Sequence, residues 1–168
     1  EMGTVIGGSL PIGETLDFEG AENLIFGYVL LNDWSARDIQ ACEYQPLGPF
    51  LSKSFGTSIS PWIVSPEALE PFKTTPPERD FQLLPHFEDD KAFVFDIDLK
   101  VTLIEYGGTK TDIVETNAKE LYYSPVQQLI HHASAGCGIS TGDLIGSGTI
   151  SGIEKGSFGC MLELSWGG

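Results

Sequence analysis

The chain has 168 residues, 41% hydrophobic and 20% charged, which suits one domain with a sizeable core and excludes a disordered chain. Nine basic against twenty-four acidic side chains leave a net charge of -15, which repels phosphate backbones and anionic lipid and argues against nucleic-acid or membrane-surface partners. The longest apolar run, residues 24–31 with Gly27 inside it, is too short to cross a bilayer.

Twenty glycines and ten prolines imply many turns and a β-rich fold. Residues 24–31 read as a fully buried strand, followed by a turn at Asn32-Asp33 and a short helix over 35–40. Residues 45–50 are a Pro/Gly loop, and 58–64 read as extended, with Pro61 calling for a sheet edge or a bulge. Ser65-Pro66 opens a short helix, Ser as N-cap and Pro at the first helical position. Residues 74–90 read as a long surface loop. The clearest strand spans 93–103, with Phe93, Phe95, Ile97, Leu99, Val101 and Leu103 on one buried face. Gly107-Gly108 turns it into a return strand over 109–115.

Ser124-Pro125 opens the best helix, with Val126, Leu129, Ile130 and Ala133 at helical spacing and Gly136 or Gly138 as its end. Thr141-Gly142-Asp143 is a turn, 144–151 is extended, and 160–166 alternates like a strand running into a hairpin turn at Gly167-Gly168. The expected architecture is a single α+β domain, mainly β, with a few short helices.

Cys42, Cys137 and Cys160 are odd in number and lack CxxC spacing, so they read as reduced cytosolic thiols. No signal peptide is visible, and the expected location is cytoplasmic. Glu1 is not an initiator Met, and a hairpin begun at Gly167-Gly168 lacks its second strand; a domain truncated at both ends is therefore expected.

Few side chains suggest chemistry by themselves. Asp33 follows a buried strand, where ligands and catalytic groups gather, but its type and place favour a turn residue capping the next helix. Arg37, four residues on, reads as its ion-pair partner. Lys53 lies among small residues in an acidic chain, as an exposed surface cation or as one that meets an anion. Glu163 points away from the apolar face of its expected strand, where most glutamates are merely solvated. His86 is alone in a loop, and the adjacent His131 and His132 point apart on a helix, so none suits a metal ligand. The Gly-rich stretch 146–152 lacks a P-loop lysine.

Longer runs carry a resemblance. Asn32-Asp33-Trp34-Ser35-Ala36-Arg37-Asp38-Ile39-Gln40 resembles the signature of the fumarylacetoacetate hydrolase family. Glu43-Tyr44-Gln45-Pro46-Leu47-Gly48-Pro49-Phe50-Leu51, Lys53-Ser54-Phe55-Gly56-Thr57, Gly146-Ser147-Gly148-Thr149-Ile150-Ser151-Gly152 and Met161-Leu162-Glu163-Leu164-Ser165-Trp166 follow in family order, so the resemblance covers essentially the whole chain. It implies a mixed β-sandwich roll preceded by an SH3-like barrel, a homodimer, and hydrolysis of 4-fumarylacetoacetate to fumarate and acetoacetate, the last step of tyrosine and phenylalanine breakdown.

By position, the resemblance makes Glu1 and Asp33 ligands of Ca²⁺ or Mg²⁺, with Lys53 and Thr57 near a second Mg²⁺ position. Lys53 could ligate there only through its backbone oxygen, because an ammonium has no lone pair. Gln40 and Tyr44 would bind substrate oxygens, and Thr149 a substrate carboxylate. Lys53 would stabilise charge on the departing carbon unit, and Glu163 would orient a water-activating histidine. That histidine, a substrate arginine and two further acidic ligands are expected upstream of Glu1, so this piece alone is expected to be inactive.

Two rival readings exist. One is another enzyme of the family, an acylpyruvate hydrolase, an oxaloacetate decarboxylase or a related hydratase, against which Trp34 and residues 44–50 argue. The other is an inactive β-domain that serves oligomerisation, against which Asp33, Lys53 and Glu163 argue for the parent protein.

Overall fold

The structure, a computed structural model, describes residues 1–88 and 91–167. In chain order its elements are β1 (Met2–Ile6), α1 (Phe18–Leu24), β2 (Ile25–Asp33), α2 (Arg37–Glu43), α3 (Leu51–Ser54), β3 (Thr57–Ile59) and α4 (Pro66–Leu69). They continue with β4 (Lys73–Thr74), β5 (Val94–Phe95), β6 (Asp98–Ile104), β7 (Lys110–Asn117), α5 (Pro125–Ser134), β8 (Leu144–Gly146) and α6 (Met161–Leu164). Four strands form one sheet in the order β3-β2-β1-β8; β4-β5 and β6-β7 are separate two-stranded pairs. Every one of these pairings is antiparallel. Short helices and antiparallel strands in one chain make the fold α+β and mainly β, as the turn-rich composition implies.

The main core lies on one side of the sheet. Met2, Ile6, Ile25 and Tyr28 pack there with Phe95 and with Val126, Leu129, Ile130 and Ala133 of α5. The rings of Tyr28 and Phe95 meet edge to face at 5.0 Å, a favoured aromatic geometry. Burying a residue such as Leu129, which is 0% exposed, contributes roughly 1.5–3 kcal/mol. The α5 helix starts where its sequence predicts. The Ser124 hydroxyl accepts from Gln127 N, and the Gln127 side chain accepts from Ser124 N, a complete capping box. Gly136, at φ 74, supplies the left-handed residue after its end. Gln127 also donates to Phe87 O at 2.7 Å and accepts from Arg79 at 3.1 Å, which ties the 74–88 loop to the helix.

Ser65 caps α4 as expected. The β3 strand forms an edge of the sheet ahead of Pro61, and a bridge joins Tyr28 to Val64. Gly27 permits that approach, since a Cβ there would lie 2.6 Å from Val64 O. Gly108, at φ 83, turns β6 into β7.

Other expectations change. The strand expected over 24–31 runs over Ile25–Asp33, and it is not fully buried: Phe26 and Leu30 are exposed. Asn32 and Asp33 belong to it because β3 supplies partners, Ser58 and Thr57. The expected helix at 35–40 lies at Arg37–Glu43. Neither β1 nor α1 is evident in the sequence; β1 is short and glycine-containing, and α1 rests on Asp17 as N-cap for Gly20 N.

The strand expected over 93–103 breaks into β5 and β6, which take different partners. Its alternation does not mark one buried face, because Val94 is buried beside Phe95 while Val101 and Leu103 stand exposed on the hairpin. The strand expected at 160–166 is instead α6, and Gly167 N bonds Leu162 O rather than opening a hairpin. Met, Leu and Glu are good helix formers, and no strand among the described residues pairs with this segment. Asp89 and Asp90, the end of the expected loop, and Gly168 lie outside the described residues.

Candidate active site

The register of β2 with β3 sets Asp33 directly opposite Thr57. Lys53, on α3, reaches the same spot. Its Nζ lies 3.0 Å from Asp33 Oδ2 and donates to Ser35 Oγ at 2.6 Å and to Asp33 O at 3.3 Å. An ammonium has three protons, and these three acceptors can take all of them. Both side chains are about one-third exposed, 31% and 30%, so the pair is open to a ligand.

Asp33 does not cap a helix. The N-cap of α2 is Ala36, with no side-chain cap bond. Nor does Arg37 pair with Asp33: its guanidinium donates to Gln40 Oε1. In this acidic chain the strand-end carboxylate takes the lysine, which α3 delivers, and the local i,i+4 pairing does not form. Gln40 lies on α2, and Tyr44, which caps the end of that helix, follows one turn later, its N–H donating to Gln40 O at 3.0 Å.

Glu43, to which the sequence motif assigns no role of its own, organises the loop before α3. The half-buried Glu43 carboxylate accepts from Phe50 N at 2.7 Å, Leu51 N at 3.2 Å, Ser52 N at 2.9 Å and the Ser52 hydroxyl. The Ser52 hydroxyl and the backbone N–H groups favour the charged form and draw the carboxyl from 4.5 down to about 2. The available signal was a glutamate before a Pro/Gly loop that leads into a short helix, whose first N–H groups need an acceptor.

Glu1 lies beside Leu31, with which it exchanges two backbone hydrogen bonds of 3.0 Å. Asp33 is two residues further along β2, so both carboxylates issue from the same sheet face at diagonal positions. Glu1 Oε2 accepts from Gly148 N at 3.0 Å. Gly146 makes room for it, since a Cβ there would lie 2.7 Å from that oxygen. Glu1 thus connects the Asp33 end of β2 to the segment that follows β8.

Beyond Gly148 lies a cavity of about 540 Å³, lined in part by Tyr122, Tyr123, Ser147, Thr149, Ser151 and Glu163. Glu163, on α6 in place of the expected strand, and Thr149 both line this cavity. Glu163 Oε2 accepts from Ser151 Oγ at 2.8 Å and from Cys160 Sγ at 3.1 Å. Burial raises the Cys160 thiol above its ordinary value. Gln40 and Tyr44 do not line the cavity. His86 and His131 flank the Phe87 ring at 4.1 and 5.9 Å.

The donors around Asp33 are carboxylate and hydroxyl oxygens, the kind that hard divalent cations select. Among the described residues no group of three or more His, Cys, Asp or Glu gathers to hold a metal. Glu1, Asp33 and Thr57 therefore match Ca²⁺ or Mg²⁺ in chemistry, while six to eight ligands require further donors. Among the described residues no helix is long and apolar enough to cross a membrane.

Residues 1–163 match the family described as fumarylacetoacetate (FAA) hydrolase C-terminal. Fumarylacetoacetase of Dictyostelium discoideum is 52% identical over 170 residues, covering 100% of this chain and 40% of the relative. The enzymes of Bos taurus and Homo sapiens are 52% and 49% identical over 169 residues, with the same coverage. The chain thus spans about 40% of the length of these curated relatives. A crystal structure of the protein Cg1458 shares the fold, with TM-score 0.60 and 19% identity over 90% of this chain and 48% of that one. A family match over nearly every residue, with half-identical relatives along the full length, means that the chain belongs to the fumarylacetoacetate hydrolase family.

Proposed function

We propose that this chain is a single catalytic domain, residues 1–168, of a metal-dependent hydrolase that converts 4-fumarylacetoacetate and water to fumarate and acetoacetate. This reaction would close tyrosine and phenylalanine breakdown. The observation that carries the reading is the meeting of Lys53 with Asp33 opposite Thr57, in a chain 49–52% identical to fumarylacetoacetases.

In the proposed reaction, water adds to the fumaryl carbonyl carbon, and the bond from that carbon to the neighbouring methylene breaks. The electron pair moves to the methylene and spreads onto the adjacent ketone as an enolate; protonation of the carbon gives acetoacetate. The Lys53 ammonium holds the developing charge, which is most valuable where net charge is otherwise negative. A Ca²⁺ or Mg²⁺ ion held by Glu1 and Asp33, near Thr57 and with donors from outside this chain, would polarise the diketone. Gln40 and Tyr44 bind substrate oxygens, and Thr149 receives a carboxylate end. Glu163 orients a histidine general base contributed from outside the chain. The chain alone is therefore proposed to bind divalent ions weakly and to turn over negligibly. The complete protein is proposed to be a cytoplasmic homodimer.

The test is turnover by the complete protein. Rapid cleavage of fumarylacetoacetate with slow cleavage of acylpyruvates and no decarboxylation of oxaloacetate supports the reading. The reverse preference assigns the chain to another activity of the family, and no turnover of any of them leaves an oligomerisation module.

A further inference from the structure

We propose that Glu43 is a positioning residue whose carboxylate clamps the entry to α3 and thereby places the Lys53 ammonium on Asp33. The inference rests on the role proposed above for Lys53.

Lys53 has a long, flexible side chain and needs a fixed backbone to reach one spot. Its own helix cannot provide one, since α3 has four residues and a single turn does not stabilise itself. The anchoring comes from Glu43. Three successive N–H groups, Phe50, Leu51 and Ser52, converge on its carboxylate together with the Ser52 hydroxyl. These donors include amides at the start of α3, where the helix leaves them without an internal acceptor.

The clamp extends to the partners of Lys53. Ser52 is 0% exposed, and its carbonyl accepts from Ala36 N at 2.9 Å. Ala36 follows Ser35, the hydroxyl that accepts from Lys53 Nζ. Glu43 ends α2, and α2 packs on α3. One carboxylate therefore joins the end of α2, the start of α3 and, through Ser52, the segment that presents Ser35 to the ammonium. A glutamine could accept through one oxygen only and would turn an NH₂ group toward N–H donors.

The test uses the complete enzyme with Glu43→Gln, Lys53→Met and the double variant. E43Q is expected to lower kcat by about tenfold or more with KM within about twofold. In the K53M background, E43Q is expected to cost less than about twofold further. A second readout needs no turnover. Reductive methylation of Lys53, followed by peptide mass spectrometry on metal-free protein, is expected to be several-fold faster in E43Q, because the amine leaves its three acceptors. Unchanged kcat and labelling in E43Q overturn the proposal, as does an equal kcat loss in both backgrounds. Should E43Q not fold, Ser52→Ala, which removes one of the four bonds, decides in the same way. It is expected to shift kcat and labelling in the same directions, and no shift in either overturns the clamp. Full kcat in K53M would instead sink the role of Lys53, and labelling alone would then decide what Glu43 does.

Discussion

Asp33 Oδ2 and Lys53 Nζ lie 3.0 Å apart, although twenty residues separate them and Arg37 stands closer along the chain. The pair forms because β2 ends at Asp33 while α3 returns beside it. Replacing Lys53 with Met removes the charge but keeps much of the side-chain volume. Turnover of the complete enzyme should fall by roughly 10²–10³, the scale for losing one group that stabilises developing charge, with a smaller change in KM. Steady-state kinetics check this, and near-normal turnover with a raised KM would make Lys53 a binding residue only.

Asp33→Ala should weaken divalent-ion binding by more than the roughly 10–100-fold typical of losing an outer partner, because on the proposed function it removes a direct ligand. Titration calorimetry of the complete protein with Mg²⁺ and Ca²⁺ measures this. Unchanged affinity removes Asp33 from the metal site.

Gly146→Ala tests Glu1 indirectly. The added Cβ would stand 2.7 Å from Glu1 Oε2 but 3.8 Å from the Leu31 side chain, so the carboxylate must move while the sheet need not. Divalent-ion affinity should drop by about tenfold with little change in Tm. Equal affinity in both proteins would show that Glu1 binds no ion from this position.

Acid should release the Glu43 clamp before it unfolds the domain. The carboxyl sits at about 2 instead of 4.5. A lowered folded-state value contributes stability that is fully present above 4.5 and is lost as pH falls from 4.5 toward about 2. Hydrogen exchange, corrected for its intrinsic pH dependence, should show constant protection of Leu51 and Ser52 amides from pH 7 to 5 and a decline below about 4.5. Helix α5 amides should remain protected over the same range. Simultaneous loss in α3 and α5 would mean that the clamp is not what titrates.

Ser124→Ala removes the hydroxyl half of a fully buried capping box. The expected cost is about 1–2 kcal/mol, or a fall in Tm of roughly 2–8 °C for a chain of this size. A thermal melt that matches the parent would show that Gln127 N finds another acceptor.

Sequence alone determined the parts governed by neighbours. The Ser124-Pro125 and Ser65-Pro66 helix starts, the Gly107-Gly108 turn and the α+β balance all rest on contacts within a few residues, which spacing records. The motif around Asp33 and the family's order of motifs were equally legible. What α6 would be, where residues 93–103 break, and which faces of β2 are covered depended on partners that only folding brings near. A strand needs a neighbour, and a helix can satisfy its own backbone. The gathering of Asp33, Lys53 and Thr57, the bridge from Glu1 to Gly148, and the hold of Glu43 on α3 are likewise tertiary. Each joins a charged group to donors or cations elsewhere in the chain, and electrostatics acts through distance in space, which sequence separation does not record.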